Sequence, residues 1–330
     1  MPISSPASVS GPFKPMLILV LASLVAGLLS VSIGSSGAGI DDTLRVLAGS
    51  GTDLQQTVIL ELRLPRTLSA FATGGLLAVA GALMQVLLRN PLADPYVLGL
   101  SGGAAVGALL AMLAGAAGFL VSGSAFAGAM LATLLVFGLA HGSGSWTPSR
   151  LLLTGVVVAA GWGAVITLIL SMTPATRLPG MLYWLMGDLS HAGTPWPGLL
   201  ILALVCLLVF PLGRALNVLA RGSLQAAALG VSVRPLEWLI YLLASLLTAT
   251  AVTMAGAVGF VGLVVPHMLR LVLGNDQRLI LPACALAGGT LLVLADTLAR
   301  VVIAPEQLPV GVITALIGVP TFLYLLYRSR

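Results

Sequence analysis

The strongest constraint in this sequence is an uncharged run, residues 67–88, with Arg63 and Arg66 before it and Arg89 at its end. A helix rising 1.5 Å per residue over that run is long enough to cross about 30 Å of hydrocarbon. The next six residues, Asn90-Pro91-Leu92-Ala93-Asp94-Pro95, cannot continue it. Each proline lacks an N–H donor and restrains the residue before it, so the chain must turn. It then re-enters an apolar run with Gly99, Gly103, Gly107 and Gly115 in steps of four or eight, Ala111 filling the missing step. Such a face predicts close approach of another helix backbone.

Composition extends this reading to the whole chain. Hydrophobic residues make up 58% and charged residues only 8%, against roughly 25% charged in soluble domains. An all-α polytopic membrane protein follows. The net charge of +5 is then read by position, because lysine and arginine report topology in such a chain. No basic run suggests nucleic acid. Cys206 and Cys284 fall in apolar runs at spacings of neither a metal site nor a disulfide framework.

Residues 1–15 are Ser/Pro-rich and hold Lys14, the only lysine, which predicts a disordered cytoplasmic tail. Residues 16–33 are longer than a signal-peptide core and lack a clear cleavage site, so a retained first helix is expected. Residues 34–62 turn polar and fit an external loop with a short helix. Further spans are expected at 67–88, 96–116, 119–140, 151–172, 199–212, 236–254, 257–273, 279–299 and 310–327, which makes ten with the first. The two flanking Gly256 could instead be one broken helix. Residues 16–330 thus read as a single transmembrane domain with both termini on one side.

With a cytoplasmic N-terminus, the inside receives ten of the fifteen basic residues and only three acids, Asp94, Glu237 and Asp276. Trp146, Trp184, Trp196, Trp238, Tyr324 and Tyr327 fall near span ends, as an interfacial belt requires. Trp162 does not, and is expected to face the interior. The inside loop 213–235 carries three arginines and a helical stretch, 223–229, closed by Gly230 at a position suited to a left-handed cap. It is either an ordinary basic loop or a short helical knob presented to a cytoplasmic partner.

No energy-converting motif is visible. A P-loop needs a lysine after its glycine turn, and Lys14 lies between Phe13 and Pro15. A proton-driven carrier keeps ionisable groups in its spans. The candidate here is Asp296, which stands at i, i+4 spacing from Arg300 and could simply pair with it. His267 reads as a packing residue, and His141 and His191 fall in loops. No histidines, cysteines or carboxylates have metal-ligand spacing, and no nucleophile-base signature is present.

Four stretches carry a family resemblance: RLPRTLSAFATGGLLAVAGALMQVLLRNPLADPYVLGLSGGA, the loop ending AAALG, GAVGFVGLVVPHMLRL, and LPVGVITALIGVPTFLYLL. In this order and spacing, over about 62–328, the chain resembles the FecCD family of permeases, the membrane subunits of type II ABC importers for ferric siderophores, haem and cobalamin. The resemblance implies the type II importer permease fold of ten helices and a homodimer in the bacterial inner membrane. It also implies two cytoplasmic ABC ATPase subunits and a periplasmic binding protein as partners. The chain itself is then no enzyme and binds no cofactor; ATP and Mg belong to the ATPase subunit.

The family's coupling helices match the loop at Arg221, Gly222, Ser223, Ala228, Leu229 and Gly230, which favours the knob. Its arginines for acidic residues of the binding protein match Arg63, Arg66 and Arg300, whose repulsion a negative partner would offset. Its cytoplasmic gate matches Asn90 and Leu92 together with Thr147, Pro148 and Ser149. Residues 177–190, RLPGMLYWLMGDLS, resemble the family's short outer helix, with Tyr183, Trp184 and Gly187 matching. That helix either contacts substrate or merely lies at the interface. This segment and LPACALAGGTLLVLADTLAR look closest to cobalamin permeases. The alternative to an importer permease is a proton-coupled secondary transporter using Asp296.

Overall fold

The computed structural model describes residues 13–34, 39–141, 147–190 and 193–328, and the regular elements among them are helices. α1 (Phe13–Ser32) is followed by the short α2 (Ile40–Leu47). α3 (Asp53–Gln56) runs through a π-helical stretch, Thr57–Arg63, into α4 (Leu64–Leu87). Then come α5 (Leu100–Leu113), α6 (Phe119–His141), α7 (Pro148–Ser171), α8 (Leu178–Met186) and α9 (Trp196–Val209). The short α10 (Gly213–Leu219) and α11 (Ser223–Ala228) precede α12 (Val233–Ala255), α13 (Val261–Leu273), α14 (Gln277–Val301) and α15 (Val310–Arg328). Below, the end of the bundle where α4 begins is the upper end, and the end where it finishes is the lower.

Ten of these helices form the expected spans. Seven stretches are long and apolar enough to cross a bilayer, and α5, α13 and α15 are shorter apolar helices. The pair around Gly256 is two helices, because Gly256 (φ 67°) ends α12 and Phe260 (φ 68°) precedes α13. α1 begins at Phe13, so Lys14 stands in a helix rather than in the tail. Residues 1–12, Trp146, His191 and Arg330 lie outside the described residues.

The polar stretch before α4 holds the expected short helix, α2, and is more helical than expected after it. The Thr52 hydroxyl accepts from Gln55 N while Gln55 Oε1 accepts from Thr52 N, a reciprocal cap that starts a helix at Asp53. The π stretch ends just before Pro65, which has no N–H to return to the preceding turn. The resulting helix, Asp53–Leu87, has 35 residues and is about 52 Å long, more than the hydrocarbon of a bilayer. Its first turns therefore stand above the membrane, with Arg63 and Arg66 at the boundary.

α4 is the axis of the fold. Its sequence is apolar on every side and rich in alanine and glycine, which is what a fully surrounded helix needs. Gly74 lies against the Gly288 carbonyl of α14, and Gly81 against the Gly262 carbonyl of α13, so that a Cβ at either would collide with backbone. The glycine ladder on α5 is shorter than expected. Gly103 and Gly107 do meet the Gly128 and Ser124 carbonyls of antiparallel α6, whereas Gly99 (φ 72°) and Gly115 (φ 85°) are turn residues outside α5. Trp162 on α7 packs on Gly102 and is half-buried, as expected of an inward-facing tryptophan.

Candidate functional site

At the upper end the structure brings Arg63, Arg66 and Arg300 to one place, the last two against Asp296. Asp296 is fully buried. Arg66 grips it in a bidentate fashion, Nη2 to Oδ1 at 2.8 Å and Nε to Oδ2 at 3.0 Å, and donates Nη1 to Gln307 Oε1 at 2.7 Å. Arg300 Nε lies 3.2 Å from Asp296 Oδ2, the expected i, i+4 pair. Its Nη2 donates to Ser30 O at 2.9 Å and its Nη1 to Ile33 O at 3.3 Å. Arg63 Nη1 donates to Val31 O at 2.8 Å and Ser32 O at 3.1 Å. Two arginines thus satisfy the last carbonyls of α1, which have no partner within their own helix. Arg63 and Arg300 are 6% and 8% exposed, and the Arg66 side chain 14%. A cavity of about 370 Å³ opens onto all three guanidinium-bearing residues.

The lower end carries α10 and α11. Leu216 and Leu219 of α10 and Ala226 of α11 enter the main core, while Leu224 and Leu229 are 87% and 71% exposed. Gly222 has φ 138° and Gly230 φ 80°. Val231 N donates to Ala226 O and Gly230 N to Ala227 O, the double bond pattern of a glycine-terminated helix, as the position of Gly230 predicted. Nothing lies within 4 Å of a Cβ built on Gly230. Arg221 and Ala228 are exposed, and Ser223 Oγ is 3.3 Å from Arg89 Nη1. Two exposed leucines on a short polar cap have the makings of a contact surface.

The two candidate gate stretches are separate local structures at this same end. Asn90 Oδ1 accepts from Leu92 N at 2.9 Å, which fixes the corner after α4, and Arg89 takes φ 50° there. Asp94 accepts from Tyr96 N, and Tyr96 Oη accepts from Val258 N. Thr147 Oγ1 caps α7 through Arg150 N at 3.3 Å, with Pro148 and Ser149 in its first turn. Leu92, Thr147 and Ser149 are exposed, Asn90 and Pro148 half-buried. Leu151 of α7, Leu98 and Leu100 share one core, so the stretches adjoin through the residues that follow them.

Other polar contacts at the lower end escaped the sequence reading. Asp276 caps α14, accepting from Arg278 N at 3.1 Å, and takes Asn217 Nδ2 at 2.9 Å, while Asn217 Oδ1 accepts from Gln277 N at 2.8 Å. The Asn217 bond, with the cap itself, holds the Asp276 carboxyl below the usual range. Arg270 donates to Gln85 Oε1 and to Ala82 O. The signal was present: Gln85 is the one amide in an otherwise apolar run, and Asp-Gln-Arg before an apolar stretch is a helix start.

Residues 20–328 match the FecCD transport family. The chain belongs to this family. It is 42% identical to the cobalamin import system permease protein BtuC of Halobacterium salinarum, covering 88% of this chain and 76% of that one. It is 38% identical to the hemin transport system permease protein HmuU of Yersinia pestis, with 94% and 96% covered. A solved chain of a metal-chelate type ABC transporter, in an inward-facing conformation, superposes with a TM-score of 0.84 at 31% identity, over 96% of this chain and 99% of that one. This FecCD chain is therefore a multi-pass ABC transporter permease. Its α8 lies where the resemblance placed a short helix, with Gly187 against the Ala257 carbonyl and the Trp184 carbonyl against Gly256. That contact ties α8 to the junction of α12 and α13. Tyr183 is exposed.

Proposed function

We propose that this permease carries a large metal chelate inward across the bacterial cytoplasmic membrane, cobalamin being favoured over haem or a ferric siderophore, with ATP hydrolysed in a separate subunit. The observation that carries the reading is α11, a short helix closed by Gly230 that holds Leu224 and Leu229 out from the lower end of an importer-family bundle. In this reading the lower end is cytoplasmic, the N-terminal tail and both termini lie there, and the loop 213–235 receives the ATPase with its ATP and Mg. A second copy of the chain lies across the pathway. Asn90 and Leu92 with Thr147, Pro148 and Ser149 form the gate.

The upper arginines dock an acidic binding protein in this scheme, but not equally. All three are engaged, Arg63 and Arg300 by α1 carbonyls and Arg66 by Asp296 and Gln307, so they act through positive potential, and Arg66, the least buried, stands nearest a partner. The competing carrier reading needs Asp296 to gain and lose a proton. Both Asp296 oxygens are instead engaged by Arg66 and Arg300, which ties α4 to α14, and a carboxylate committed to that structural contact disfavours the carrier.

The test is uptake of labelled cobalamin, haem and a ferric siderophore in cells lacking their own permeases and complemented with this chain and its cognate partners. Accumulation of cobalamin alone is expected. Accumulation of an iron chelate instead would remove the cobalamin assignment and leave the importer.

A further inference from the structure

A second feature of the lower end is a cavity of about 540 Å³ where α4 finishes, beside α10 and the start of α14. Its lining includes Arg89, Arg221 and Arg270, and Asp276 is its one acid. Asp276 already accepts from Asn217 and from the α14 backbone, and Arg270 is held by Gln85 and Ala82. Arg89 has the long contact to Ser223 and lies within electrostatic reach of Glu237. The Arg221 side chain makes no hydrogen bond or ion pair among the described residues, its backbone N–H going to Val218 O, and it stands two positions before α11. Gln277, 2% exposed, lines the same cavity with an amide oxygen that has no partner there, and a turned amide would offer its NH₂ group.

We infer that this cavity receives a carboxylate side chain of the ATPase subunit, seated between Arg89 and Arg221 with the Gln277 amide as a further donor. The inference rests on the reading that the ATPase docks at α11, and extends that contact inward. Charge sign selects the ligand: arginine forks match a carboxylate, and the only acid in the lining is already bonded. Position selects the source. The cavity lies at the end of the most enclosed helix of the bundle and is lined by α10 and by Ala220 and Arg221 of the link to α11, which favours a protein inserted from below over a lipid headgroup at the periphery.

The experiment measures affinity of the purified permease, in lipid nanodiscs, for its cognate ATPase subunit at low and high salt. Arg221→Gln is expected to weaken binding about tenfold at low salt and to flatten the salt dependence, Arg89→Gln to add to it, and Arg221→Lys to restore most of the loss. Leu229→Asp tests the underlying reading and is expected to abolish binding. If Leu229→Asp abolishes binding while both glutamine variants bind like the parent, α11 docks the ATPase and the cavity assignment is wrong. If Leu229→Asp binds normally, the docking reading itself fails and takes the cavity with it. Glutamine variants that lose co-purified phosphatidylglycerol but keep the ATPase would make the cavity a lipid site and overturn the inference.

Discussion

α4 and α7 are both apolar and opposite in environment. Windows within Asp53–Leu87 and Pro148–Ser171 have mean hydropathies of 1.8 and 2.2, yet 94% of the first and 11% of the second is buried. Hydropathy makes both long and apolar enough to cross a bilayer and does not say which is surrounded. Between helices in lipid there is little hydrophobic drive, so the difference lies in whether small residues meet a neighbouring backbone. On α4, Gly74, Gly75 and Gly81 meet α14 and α13 backbone and a leucine of α9, whereas Gly161 and Gly163 of α7 face open space. α4 is a frame, and α7 keeps a face uncovered.

The largest test of that contrast is at the upper end of the frame. Asp296→Ala strands Arg66 and Arg300 in a buried site and is expected to destabilise by about 3–5 kcal/mol, read as a fall in thermal unfolding temperature in detergent. Stability like the parent would show that the cluster does not hold α4 to α14. Next, Gly81→Val drives a side chain into the Gly262 carbonyl and should cost about 1–3 kcal/mol or more, while Gly161→Val on α7 should fall within about 0.5 kcal/mol. Equal losses from the two would break the comparison.

A smaller loss than that of Gly81→Val is expected at the lower end. Asp276→Ala removes the α14 cap and should cost about 1 kcal/mol. Because the Asp276 carboxyl is held below its ordinary value, its contribution is present above the unfolded value of about 3.9 and is lost as pH falls through the folded value. The difference between parent and Asp276→Ala should be constant from neutral pH down to the unfolded value and shrink below it. A difference that disappears near neutral pH would contradict this.

Ten apolar runs were legible because they stand out from the polar segments between them; seven reach the length a bilayer requires, while α5, α13 and α15 are shorter. The short elements were less so. The cap at Thr52 adds polar turns before α4 that hydropathy reads as loop, and α8 is too short to leave a periodic signal. At the sites, Gly230 announced its left-handed cap, since few residues other than glycine take φ 80° readily. Arg63, Arg66 and Arg300 could be grouped from the sequence through the family resemblance. Their burial could not, since it depends on the end of α1 meeting α4 and α14. The cavity at the lower end gathers residues from four helices and the loops between them, a juxtaposition that no linear pattern contains.

The most direct test of the account is uptake of labelled cobalamin by proteoliposomes holding this permease, with ATPase and binding protein added or withheld and with the proton gradient imposed or collapsed. The account predicts uptake that needs ATP and both partners, persists without a proton gradient, and is lost with Gly230→Glu although the protein still inserts. Uptake by the permease alone, driven by a proton gradient and abolished by Asp296→Asn, would contradict it.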